Sequence, residues 1–137
     1  MSEPAHLDLE AEYDNRARVP EHPEIIAGWE RDAAVYRAAR SGHAELGIAY
    51  GAHARQRIDL FRPDEEDPAR PLIVFIHGGY WRSLEPRLFS HMAAGANAHG
   101  FAVALPGYRL CPEVTLPEII EDVRAACHFL WRRLGRR

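Results

Sequence analysis

Apolar and polar positions alternate along this chain in blocks whose period changes from helix to strand and back. Ile25, Trp29, Ala33 and Tyr36 fall at helical spacing and predict a helix that opens at Glu21-His22-Pro23-Glu24 and runs to about Arg40. Proline and acidic residues suit a helix's first, electropositive turn, and Ser41-Gly42 stops it. Residues 1 to 21 read as polar and irregular. Leu46, Ile48 and Tyr50 alternate with Glu45, Gly47 and Ala49, and Arg57-Ile58-Asp59-Leu60-Phe61 alternates again after a turn at Gly51-Ala52-His53-Ala54. This predicts a β-hairpin at a sheet edge. Pro63-Asp64-Glu65-Glu66-Asp67-Pro68 reads as a solvated acidic connection.

From residue 71 the chain reads Pro71-Leu72-Ile73-Val74-Phe75-Ile76-His77-Gly78-Gly79-Tyr80-Trp81-Arg82. The apolar part, rich in β-branched residues, predicts a strand buried on both faces in the middle of a parallel sheet. Ser83 is the expected cap of a following helix with Leu84, Leu88, Met92 and Ala96 on its apolar face and Phe89 beside them. Asn97-Ala98-His99-Gly100 ends that helix. Phe101-Ala102-Val103-Ala104-Leu105 predicts a second buried strand, broken at Pro106-Gly107. Thr115-Leu116-Pro117-Glu118 is a capping box for a last helix carrying Ile119, Val123, Ala126, Leu130 and Leu134 on one face, stopped by Gly135. Strands alternating with helices imply an α/β fold in which residues 72–76 and 101–105 are parallel neighbours.

Composition narrows the chemistry. The chain has 137 residues, 47% hydrophobic and 27% charged, with a net charge of −3, which fits a globular domain and favours neither nucleic acid nor anionic membrane. All 17 basic residues are arginine. The absence of lysine removes Schiff-base chemistry and a P-loop together. Cys111 and Cys127 do not form a metal-ligand spacing, and the histidines make no His-Glu-x-x-His pair, so no metal or cofactor is expected. The acidic start without an apolar segment behind it implies a cytoplasmic location.

His77-Gly78-Gly79-Tyr80-Trp81 after a hydrophobic strand resembles the oxyanion loop of α/β-hydrolases. The aromatic pair looks like the kynurenine formamidase (arylformamidase) and esterase branch. Pro106-Gly107-Tyr108-Arg109-Leu110-Cys111-Pro112 is similar to the segment after the next strand in that family. The resemblance covers about residues 44 to 137. It implies a helical arm over residues 1–43 and, over 44–137, the N-terminal half of an α/β-hydrolase: an edge hairpin, then parallel β-α-β units. Tyr13-Asp14-Asn15-Arg16 fits the family's arm, which either caps the pocket or packs on the sheet or a partner.

By resemblance the amides of Gly78, Gly79 and Tyr80 form the oxyanion hole and Trp81 walls the substrate pocket. His77, Tyr108 and Arg109 support the loop. The other reading of Gly78-Gly79 is a tight strand-to-helix turn. His77 is not the family's base, which lies after the last strand of the full domain. The serines are Ser2, Ser41, Ser83 and Ser90, and none stands in Gly-x-Ser-x-Gly. The family's nucleophile, acid and base are therefore expected beyond the end of this chain. The implied activity is serine-type hydrolysis of a carboxylic ester or an aryl formamide such as N-formylkynurenine. The alternatives are a non-catalytic binding module and a non-functional remnant. An apolar strand edge left unpaired is expected to drive homo-oligomers or aggregation.

Overall fold

A computed structural model describes residues 7–135. Its centre is a four-stranded mixed sheet in the order β1-β2-β4-β3, with β1 Ala44–Ala49, β2 Arg57–Phe61, β3 Ile73–Val74 and β4 Val103–Pro106. β1 and β2 form the expected antiparallel hairpin, and β4 lies antiparallel to β2. β3 and β4 are parallel, with Ile73 opposite Val103 and Val74 opposite Ala104. Main-chain bonds from Ile73 N–H to Ala102 and from Phe75 N–H to Ala104 extend that pairing. His77 and Pro106 consequently leave the sheet at the same end.

The two faces of the sheet are covered separately, as the period of two requires. Ile58, Leu60 and Ala104 pack under Ala126 and Leu130 of the last helix, α5 (Leu116–Leu134). Phe61, Val103 and Leu105 pack against Phe89 and Ala93 of a 3-10 helix over Pro86–Ala93. That helix is continued by α4 (Ala94–Ala98) and braced by α3 (His22–Ala39). The capping box at Thr115 is formed, and Gly135 closes α5 in the left-handed conformation.

Three expectations are corrected at the strand and helix that flank the loop. The strand at 72–76 is the edge of the sheet, not its middle: Ile73 is 41% exposed, and the strand buried throughout is β4. Among the described residues β4 is the sole strand paired with β3, which therefore stands at the edge of the sheet. Ser83 does not cap a helix; its hydroxyl donates to the Gly79 carbonyl, and the helix starts at Pro86. The buried face of that helix is Phe89, Ser90 and Ala93, whereas Met92 is 50% exposed. A 3-10 turn holds three residues rather than 3.6, so positions four apart such as Leu88 and Met92 fall out of line and the buried face lies one position on.

The arm, expected to be irregular, contains two short turns, α1 (Leu9–Tyr13) and α2 (Asn15–Arg18). Asp8 accepts from the Ala11 N–H and Asp14 from the Ala17 N–H, so each turn is opened by an aspartate cap. In β1 the register shifts between Glu45 and Ile48, where Gly47 has φ +68°. This bulge turns Leu46 outward and breaks the alternation read from sequence.

Candidate functional site

Everything that shapes the loop after β3 converges on His77. Its ring is buried between two aromatic rings, Tyr108 at 4.5 Å and Phe89 at 5.8 Å between centroids, both nearly parallel to it. Phe89 in turn meets Trp29 of α3 and Phe75 of the strand, and Tyr108 meets Trp81. The loop is thus clamped by a column of rings reaching from α3 to Trp81. Such pairs add about 0.5–1.5 kcal/mol each beyond their buried area.

The hydrogen bonds fix the histidine's state. Nδ1 lies 2.8 Å from the Gly78 carbonyl oxygen, which can only accept, so Nδ1 carries the proton. The Tyr108 hydroxyl donates to the His77 carbonyl at 2.5 Å. Nε2 is buried with no hydrogen-bond partner among the described residues. Burial lowers the pKa of His77, and the Arg55 charge adds to this while the Gly78 bond opposes it. A neutral imidazole held by its own loop is a brace.

Beyond His77 the backbone takes an unusual path. Gly79 has φ +124°, Tyr80 +52°, Trp81 +60° and Leu84 +72°. Three side-chain-bearing residues in the left-handed region cost about 1–3 kcal/mol each and persist only where the surroundings enforce them. The enforcement is visible. The Gly79 carbonyl accepts from the Arg82 N–H, the Ser83 N–H and the Ser83 hydroxyl, and the Trp81 carbonyl accepts from the Cys111 N–H at 2.8 Å. A Cβ on Gly79 would sit 2.3 Å from the Ser83 carbonyl oxygen, whereas one on Gly78 meets nothing within 4 Å. Of the glycine pair, only Gly79 requires glycine.

This path leaves the N–H groups of Gly78, Gly79 and Tyr80 without an acceptor among the described residues. Three consecutive main-chain donors at the end of a strand are thus left available to an acceptor from outside. Tyr80 and Trp81 stand exposed beside them. The Tyr80 hydroxyl accepts from Asn15 Nδ2 at 2.7 Å, bringing the arm over the loop, and a groove between them is lined by Tyr13, Asn15, Arg16, Tyr80, Arg82 and Ser83.

The segment after β4 is held from both sides. Among the described residues Arg109 makes no bond to the loop; its guanidinium grips Asp122 of α5 at 2.8 and 2.9 Å, and its own N–H donates to the same carboxylate. Gln56 completes the set. Burial raises the Asp122 pKa, but the bonds from Arg109 and Gln56 outweigh it and hold the carboxyl below its ordinary value. Arg55 donates to the carbonyls of Tyr108 and Leu84, tying the two loops together. Asn15, Arg55, Gln56 and Asp122 are the supports that the sequence pattern did not single out. Asn15 lay within the arm motif; the others carry no local signal.

Among the described residues no group of His, Cys, Asp or Glu is arranged to hold a metal ion, and no helix is long and apolar enough to cross a membrane. Comparison with known proteins adds the family. The chain is 34% identical over 83 residues to a kynurenine formamidase of Drosophila melanogaster, covering 61% of this chain and 26% of that protein. It is 29% identical over 95 residues to an isoprenylcysteine alpha-carbonyl methylesterase of Arabidopsis thaliana, covering 69% and 22%. A solved structure from Silicibacter sp. described as a thioesterase superposes with TM-score 0.85 at 34% identity, over 93% of this chain and 48% of that one. Esterase B of Lactobacillus rhamnosis gives 0.63 at 26% identity, over 85% and 41%. The chain therefore spans about a quarter of these curated relatives and about half of the solved structures or less. The BD-FAE family profile matches residues 58–134, more than half of the chain, which belongs to that family of α/β-hydrolase-like domains.

Proposed function

We propose that this chain supplies the oxyanion-stabilising half of a serine-type hydrolase acting on carboxylic esters or aryl formamides. The observation that carries the reading is the row of free N–H groups at Gly78, Gly79 and Tyr80, fixed in advance by a strained and heavily bonded loop. When a serine oxygen attacks an ester or formamide carbonyl, negative charge moves onto the carbonyl oxygen. Donors already in place stabilise that charge without reorganising, at about 3–4 kcal/mol for one donor. Trp81 walls the acyl or aryl pocket, with Tyr80 and Asn15 closing it from the arm. His77 and Tyr108 hold the loop, and Arg109 holds the neighbouring segment through Asp122. The aromatic pair Tyr80-Trp81 and the likeness to kynurenine formamidase favour an aryl formamide of the N-formylkynurenine type.

No serine of this sequence stands in Gly-x-Ser-x-Gly. The nucleophile, acid and base of this reading come from sequence outside residues 1–137, docked along β3. The test is complementation. The chain alone is expected to hydrolyse neither p-nitrophenyl acetate nor an aryl formamide above a protein control. Co-expressed with the C-terminal half of a related esterase it should gain turnover, with kcat about 10²-fold lower for Gly79→Ala, which displaces the donors, than for Gly78→Ala. Turnover by the chain alone that survives Ser83→Ala and Ser90→Ala would overturn the reading.

A further inference from the structure

A second cavity opens on the α3 side of the sheet, between the β1 bulge, β2 and the start of the 3-10 helix, with a volume of about 440 Å³. None of its lining residues belongs to the His77–Ser83 loop. Four arginines line it, Arg37, Arg55, Arg57 and Arg87, and none of them forms an ion pair with a described residue. Two carboxylates, Asp59 and Glu85, share the wall, leaving an excess of two positive charges.

The guanidinium bonds leave donors over. Arg37 uses Nη1 alone, on the Arg87 carbonyl and the Ser90 hydroxyl, and Arg57 uses Nη1 alone, on backbone carbonyls. Arg87 has no side-chain hydrogen bond among the described residues. Asp59 feels the Arg37 and Arg87 charges, but its Oδ1 accepts from the Gly47 N–H and it makes no direct ion pair with either arginine among the described residues. Arg37 is itself pushed down, first by burial and then by the Arg87 charge, with Asp59, Glu30 and Glu85 opposing the shift without cancelling it. Four guanidinium groups thus share the wall of one open cavity with two carboxylates, and none of the four is in direct ion-pair contact with a described carboxylate.

We propose that this cavity binds a phosphate group, free or carried on a small molecule. Guanidinium forks from several directions match the tetrahedral oxygens of phosphate better than the two in-plane oxygens of a carboxylate. Arg55 links the cavity to the loop through Leu84 and Tyr108, so occupancy is expected to alter the environment of Trp81.

The test is calorimetric titration of the full chain with inorganic phosphate and, separately, glycerol 3-phosphate, at constant ionic strength, with acetate as the control anion. Saturable phosphate binding is expected, weakened about tenfold or more by Arg87→Ala. The exposed Arg87 can be removed without opening the core. Glu85→Gln removes a repelling charge and should tighten binding, a gain that misfolding cannot imitate. Tighter binding of glycerol 3-phosphate would make the ligand a phosphate ester, and equal binding would make it the free ion. Absence of binding, acetate binding as well as phosphate, or equal affinity for the wild type, Arg87→Ala and Glu85→Gln would each overturn the proposal.

Discussion

His77 and Gly79 decide the loop, and each yields a measurable consequence. His77 is buried, neutral and lowered in pKa by desolvation. The unfolded chain, with a histidine near its ordinary value of about 6.5, then takes up a proton that the folded chain refuses. Stability from this residue is complete above that value and falls as pH drops below it toward the folded-state pKa. Urea midpoints measured from pH 7.5 down to about pH 5 should decline for the wild type and decline less for His77→Asn, which keeps a donor to the Gly78 carbonyl. At Gly79 both φ +124° and the approach of the Ser83 carbonyl forbid a side chain. Gly79→Ala should destabilise by about 1–3 kcal/mol and Gly78→Ala by less than about 1 kcal/mol, read from the same curves. The residues of the candidate site were legible because they are contiguous: a strand, two glycines and two aromatics in a row. The distribution of labour between the glycines was not, because it depends on where the Ser83 carbonyl folds back.

At the scale of elements, the polar links decide how β4, α5 and the arm meet. Asp122 is 2% exposed and carries the bonds from Arg109 and Gln56. Because its folded-state pKa is lowered, its contribution is present above the ordinary carboxylate value of about 3.9 and lost as pH falls through the folded-state value. Asp122→Ala should cost about 3 kcal/mol at neutral pH, since it strands a partly buried guanidinium, and should flatten the loss of stability below about pH 4. A chemical denaturation series at each pH checks both. The helices and strands themselves were readable from period and punctuation: the hairpin, the parallel pair and the capping box all form where the pattern puts them. Two of the misreadings share a cause, a local backbone departure that periodicity assumes away. The bulge at Gly47 turned Leu46 outward, and the 3-10 winding at Pro86–Ala93 rotated the buried face by one residue. Ion pairs such as Arg109–Asp122 escape any pattern, since a buried aspartate on an apolar helix face looks like an error until its partner arrives from another element.

For the whole molecule the free side of β3 dominates. Ile73 of β3 and Ile76 just beyond it are exposed, 41% and 43%, and β3 is paired with β4 alone among the described residues. The other face of α5 adds Leu116, Ile120 and Trp131, all exposed. Covering an aliphatic side chain of this size contributes roughly 1.5–3 kcal/mol, against a typical domain stability of about 5–15 kcal/mol. Unpaired N–H and C=O groups along the same edge offer a template for another strand. The chain by itself is therefore expected to associate at micromolar concentration through this edge. Ile73→Lys, which places a charge on the exposed face without touching the β4 ladder, should shift sedimentation velocity profiles toward monomer. Complementation with the C-terminal half of a related hydrolase should do the same by occupying the edge. A compact monomer of 15.5 kDa across that concentration range would show that the edge is protected, and would remove the reason for expecting a strand to dock there.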